Sequence, residues 1–259
     1  MSLQFVVDGL LTGSMIGLGA IGVTLTYSIL RFSNFAHGDF MAWGTYATLA
    51  VVSAIGATFG KVAPILAVAG VVGIVWSALA CYAQDDLKRL IAYSSVGHMG
   101  FVVLAISTQS VVGVAAAVFG SVAHVLITGL LFFLSGSLKE RFGTASMTAI
   151  GRGLYARTPW LAVGFVFAAI ASLGLPGLAG FWGELLSLRS AYEVGDVLSK
   201  PGVWTLLGFA VLGIALTTAY FVRAIRLIAQ GESNPRDEDR DLGGHEVVVS
   251  IALAASILV

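Results

Sequence analysis

Along most of the chain, apolar residues run for about twenty positions at a stretch, and polar residues gather in short intervals between the runs. Where lipid is the solvent, each segment must satisfy its own backbone N–H and C=O groups, so these runs predict transmembrane α-helices. Eight spans are expected: 9–30, 39–59, 62–82, 90–107, 111–137, 159–193 with an interruption, 203–229, and 245 to the end. The first run is too long for a signal-peptide core and no basic residue precedes it, so it is expected to remain as a span. The fold class that follows is all-α, a polytopic transmembrane helical bundle.

Three of the runs carry polar groups that lipid does not tolerate cheaply. In "QDDLKRLIAYSSVGHMGF", residues 84–101, Lys88 and Arg89 stand at the edge of a span and His98 lies nine residues past Arg89. That is about 13 Å along a helix, well inside the hydrocarbon. Ser94 precedes His98 by four, which predicts a shared face and a hydroxyl–imidazole bond. In "VFGSVAHVLITGLLFFLSG", His124 has Ser121 three before it and Thr128 four after it, with Ser135 further along, one polar stripe on an apolar helix. The third group lies in "ASLGLPGLAGFWGELLSLRSAY", residues 171–192, where Pro176 removes a backbone donor among Gly174, Gly177 and Gly180. A helix here is expected to be discontinuous, broken at Leu175–Gly180, with Glu184 directly after the break. Broken helices expose backbone dipoles near the bilayer midplane, where transporters place ion and proton sites.

Each group alone has a plainer use. A membrane histidine serves as well for one interhelical hydrogen bond, the hydroxyls serve as packing, the Pro–Gly run as a kink, and Glu184 as a partner for Arg189. Two histidines and a glutamate on three neighbouring spans favour a relay in which His98, His124 and Glu184 pass protons. Ser94, Ser121 and Thr128 would support it.

Composition strengthens the membrane reading, with 58% hydrophobic residues, 11% charged and a mean hydropathy of +0.93. The net charge of zero hides an asymmetry between alternate loops. Arg31, Lys88, Arg89, Lys139, Arg141, Arg152, Arg157, Arg223, Arg226, Arg236 and Arg240 fall on one side, and only Lys61, Arg189 and Lys200 on the other. By the positive-inside rule the richer side is cytoplasmic and the N-terminus outside. The single Cys81 excludes an internal disulfide, no Cys/His cluster has metal spacing, and neither a phosphate loop nor a nucleophile triad is present. No metal, cofactor or nucleic-acid partner is expected for the chain itself.

The stretches "AQDDLKRLIAYSSVGHMGFVVLAI", "VAHVLITGLLFFLSGSLKERFGT", "ASLGLPGLAGFWGELL" and "TAYFVRAIRLI" together resemble the antiporter-like subunit M of NADH-quinone oxidoreductase, respiratory complex I, from about residue 62 to the end. The resemblance implies a proton-translocating membrane-arm subunit in a bacterial inner membrane, with the bilayer and other membrane-arm subunits as partners. It implies no redox centre in this chain, since partner subunits handle NADH and quinone. His98, His124 and Glu184 match the family's line of buried ionisable residues, with Glu184 at its far end.

"GLLTGSMIGLGAIGVTLTYSILRFSNFAHGDFMAWGTYATL", residues 9–49, is instead similar to the N-terminal region of branched-chain amino acid ABC transporter permeases. Such a permease would need an ATPase and a binding protein. Asn34, His37, Gly38 and Asp39 form a polar connection there, which serves equally as an interfacial loop. The resemblances imply a permease-like region over 1–56 and a truncated antiporter-like region over 57–259, hence a fusion or chimera joined between residues 50 and 64. The glutamate and two lysines of the family's earlier half have no counterpart among these membrane helices. Three readings stand at this point: a partial complex I subunit, a permease subunit, or an inactive chimeric bundle.

Overall fold

The computed structural model describes residues 59–193, 200–231 and 240–258. The span expected at 9–30, nearly all of that at 39–59, the permease-like polar connection and a boundary after residue 56 lie outside the described residues. Within them run α1 (Phe59–Tyr82), α2 (Leu87–Ser107), α3 (Val111–Phe142), the short α4 (Met147–Ile150) and α5 (Leu154–Arg157), α6 (Pro159–Ser172), α7 (Ala179–Glu193), α8 (Lys200–Ile228) and α9 (Gly244–Ile257). Extended pairing among the described residues amounts to isolated bridges, so the architecture is the expected helical bundle.

Among the described residues, four segments are long and apolar enough to cross a membrane: Val62–Tyr82, Leu87–Ser107, Val111–Phe142 and Pro201–Ile228. At 1.5 Å per residue, 21 residues cover about 31 Å, the thickness of a hydrocarbon core. Ile65, Val68, Val72, Trp76 and Leu79 form an exposed stripe along α1, the apolar surface that lipid favours. The inward faces carry apolar clusters. Val71 and Ile74 of α1 pack with Phe101 and Leu104 of α2 and Ala210 of α8, and Met99, Val102 and Ile106 of α2 pack with Ala116 and Ala117 of α3.

Helix ends follow local chemistry. Asp86 caps α2 by accepting from the Arg89 amide at 3.0 Å, and Ser110 caps α3 by accepting from Gly113 at 2.9 Å. α3 stops at Gly143, whose φ of 69° is a left-handed terminator.

The basic ends of the helices lie together. Leu87 N donates to Ala145 O, and Met147 N to Asp85 O, each at 2.8 Å, which joins the α1–α2 and α3–α4 connections. Arg223 near the end of α8 donates to the carbonyls of Tyr82 and Gln84 at 2.8 and 3.1 Å. Arg141 at the end of α3 pairs with Glu246 in the first turn of α9.

The sixth predicted span is interrupted, as expected, but a few residues earlier. α6 ends at Ser172 and α7 begins at Ala179, so the irregular segment is 173–178 and Gly180 already belongs to α7. Pro176 and Gly177 are exposed within it. Gly174 and Gly177 have φ of 69° and 93°, a backbone that L-residues avoid and glycine adopts freely. The positive-φ glycines on either side of the proline keep the chain out of helix, while Gly180 allows a close approach: a Cβ there would stand 2.5 Å from Ala171 O. With 14 and 15 residues, the two halves are each only about 22 Å long, so neither spans alone.

Candidate functional site

Glu184, His98 and His124 arrive from three helices that meet around the break. α7 packs against both α2 and α3, and the end of α6 closes the group from the side. The Gly183 backbone abuts that of Gly120, since a Cβ on Gly183 would lie 2.8 Å from Gly120 Cα. This contact brings the residue before Glu184 against α3, one turn from His124.

His98 is the centre of the site. Its Nδ1 lies 3.2 Å from Glu184 Oε1, and its Nε2 lies 2.9 Å from Ser172 Oγ, the last residue of α6. Both side chains are largely buried, 15% and 12% exposed. The His98 and His124 rings face each other with centroids 5.5 Å apart and planes tilted by 42°. His124 is buried, and Thr128 Oγ1 stands 3.1 and 3.2 Å from its two ring nitrogens. Between them lies a cavity of about 30 Å³ bordered by His98, His124, Ser172, Glu184 and Ser187. A water needs about 15 Å³ and two to four polar partners, so the cavity accommodates one.

Chemically, an imidazole within hydrogen-bond distance of a carboxylate exchanges a proton with it. A hydroxyl or water beside the pair can carry a proton onward. The Ser172 hydroxyl, which both donates and accepts, fits the second nitrogen in either tautomer.

The three predicted relay residues are thus together, and Thr128 reaches His124 as the spacing implied. Ser94 does not reach His98: its hydroxyl donates to Ile91 O at 2.8 Å, in its own helix. Both imidazole nitrogens are engaged by residues from other helices. The Ser121 hydroxyl likewise returns to Ala117 O at 2.8 Å. Lys88 and Arg89 lie in the first turn of α2. The alternative pairing of Glu184 with Arg189 does not occur; Arg189 bonds Glu193 at 2.7 Å. Ser172 is the site residue that the sequence did not single out. Its one signal was a hydroxyl immediately before the Gly–Pro run.

The family described as NADH:quinone oxidoreductase/Mrp antiporter, transmembrane, matches residues 12–222. The match begins inside the permease-like stretch and continues through the site, and it lends no support to the permease likeness or to a chimeric junction. The chain is 42% identical over 171 residues to NADH-quinone oxidoreductase subunit M of Escherichia coli (strain K12), covering 66% of this chain and 33% of that protein. It is 38% identical over 203 residues to NAD(P)H-quinone oxidoreductase chain 4 1 of Synechococcus sp., covering 76% of this chain and 38% of that one. A chain of respiratory complex I from Thermus thermophilus with bound NADH superposes with a TM-score of 0.69 at 30% identity, over 77% of this chain and 40% of that one. The chain therefore spans about a third to two fifths of the length of these relatives.

Proposed function

The chain belongs to the NADH:quinone oxidoreductase/Mrp antiporter family of transmembrane proteins, and from that premise we propose that it is part of a proton-translocating membrane-arm subunit of an NADH-quinone oxidoreductase. In this reading His98, His124 and Glu184 hand protons to one another at the level of the helix break. The observation that carries it is the His98–Glu184 contact at 3.2 Å beside that break, with His124 across a small cavity. A structural carboxylate would find a fixed cation. Glu184 instead faces an imidazole, a group whose nitrogens can both give and take a proton.

Ser172, Thr128 and a water in the cavity complete the hydrogen-bonded line. The partners would be the bilayer and neighbouring membrane-arm subunits, and the redox chemistry would belong to those partners. The basic loops would face the cytoplasm and the N-terminus the outside of a bacterial inner membrane. The clustering of Arg141, Arg223 and the Asp85 connection at one end of the helices supports that sidedness. The region 57–259 would act as the antiporter-like unit.

The test is Glu184→Gln, which keeps the shape and removes the titration, in a complex assembled around the chain and reconstituted into vesicles. Proton uptake should be abolished with assembly intact. Full uptake by Glu184→Gln beside an active wild type rules out the relay.

A further inference from the structure

Both ring nitrogens of His98 are held by one interrupted helix, from either side of its break. Nε2 lies 2.9 Å from Oγ of Ser172, the last residue of α6, and Nδ1 lies 3.2 Å from Oε1 of Glu184, in the second turn of α7. Ser172 is buried, and its hydroxyl makes a choice that other serines around the site do not. A serine inside a membrane helix has a ready partner in a carbonyl three or four residues back. Ser94 takes Ile91 O at 2.8 Å, Ser135 takes Phe132 O at 2.9 Å, and Ser187 takes Gly183 O at 2.7 Å. Ser172 Oγ stands instead at the imidazole of another helix.

Backbone contacts set where the two partners of His98 stand. Ala171, next to Ser172, meets α7 so closely that a Cβ on Gly180 would lie 2.5 Å from its carbonyl oxygen, and a Cβ on Gly174 would lie 2.8 Å from Glu184 Oε2. The ring between them has more freedom. The last torsion of a histidine side chain is broad and roughly two-fold, and the cavity of about 30 Å³ bordered by His98, Ser172 and Glu184 gives the ring space to turn. A contact at Nδ1 alone leaves that turn open, and a second contact at Nε2 closes it.

We propose that Ser172 is the positioning residue of the relay: by holding Nε2 it keeps Nδ1 of His98 aimed at Glu184, so that the two halves of the broken helix together align one imidazole for proton transfer. The proton moves between Glu184 Oε1 and His98 Nδ1, and no electrons move. Where Nε2 bears hydrogen the serine oxygen accepts it, and where Nε2 is bare the hydroxyl donates to it, so the ring is held in either tautomer. This inference rests on the relay reading of His98 and Glu184 and adds to it the group that orients the pair.

The experiment compares Ser172→Ala and Ser172→Thr with wild type and Glu184→Gln in the assembled complex in vesicles. Assembly, proton uptake and the solid-state nitrogen NMR spectrum of histidines labelled in this chain are followed for each, with the His98 signals assigned by their loss in His98→Gln. Ser172→Ala should assemble normally, lose the hydrogen-bonded Nε2 signal of His98 and slow uptake about ten- to a hundredfold, the scale on which a misplacement of about 1 Å acts. Ser172→Thr, which returns the hydroxyl, should restore both. Should Ser172→Ala fail to assemble, Ser172→Cys, which keeps the shape with only a weak donor, takes its place and is read in the same way. Wild-type uptake by Ser172→Ala beside an inactive Glu184→Gln overturns the positioning role and leaves the relay standing. Slow uptake with the wild-type His98 signal overturns it too, as does a Ser172→Thr protein that regains the signal without the rate. Activity in Glu184→Gln removes the relay itself.

Discussion

A Cβ placed on Gly174 would stand 2.8 Å from Oε2 of Glu184, so the carboxylate that pairs with His98 rests against the backbone of the helix break itself. Gly174→Ala adds that Cβ at a φ of 69°, where an L-residue costs roughly 1–2 kcal/mol. The melting temperature should fall accordingly, and proton uptake should fall with it because Glu184 is pushed from its place. A lowered melting temperature with wild-type uptake would show that the carboxylate tolerates displacement.

Two buried glycines should respond with opposite sign. At Gly183 a new Cβ meets the Gly120 backbone at 2.8 Å, so alanine must part α7 from α3, at roughly 1–3 kcal/mol of overpacking. At Gly129, inside α3, nothing lies within 4 Å, and alanine should stabilise by about 0.5–1 kcal/mol through helix propensity. Thermal unfolding of the two variants in one detergent is the comparison. Stabilisation of both would mean that the Gly120–Gly183 approach relaxes without strain.

Asp241 caps α6 from a distance in sequence, its two carboxylate oxygens accepting from the Trp160 and Leu161 amides at 2.8 and 3.1 Å. Thr158, the residue in the capping position, makes no such bond. Asp241→Ala should therefore destabilise by about 1 kcal/mol and Asp241→Asn by less. Proteolysis near residue 160 in native membranes would report the frayed first turn. Equal resistance in all three proteins would remove the cap from the account.

Asp85 predicts a pH dependence. The Ser146 hydroxyl holds its carboxyl below the usual carboxylate range, with Thr148 and Arg223 helping and partial burial opposing. A carboxyl whose folded pKa lies below its unfolded value, about 3.9, stabilises the fold above that value and loses the contribution as pH falls through the folded pKa. The melting-temperature gap between wild type and Asp85→Asn should accordingly be present at neutral pH and close below about pH 4. It should be small, because solvent screens the site. A gap unchanged by pH would assign it to packing.

What the sequence determined by itself is what acts within one segment. Long apolar runs had to be helices, because lipid leaves a backbone no other partner, and the spans from residue 62 onward fall within a few residues of the observed ones. Pro176 with its glycines had to interrupt a helix, since a missing donor and positive φ are local properties. The His124–Thr128 contact followed from a spacing of four. The same spacing failed for Ser94 and His98, and the reason is tertiary. Ser172 and Glu184, 74 and 86 residues away, occupy both imidazole nitrogens, so the serine turned back to its own helix. Which groups meet across helices depends on how each helix is rotated and how closely it approaches its neighbours. Here backbone contacts such as Gly70 with Gly100 and Gly120 with Gly183 set both. The Asp241 cap on α6 and the Arg141–Glu246 pair came from the same source, because no local periodicity encodes a partner 80 or 105 residues distant.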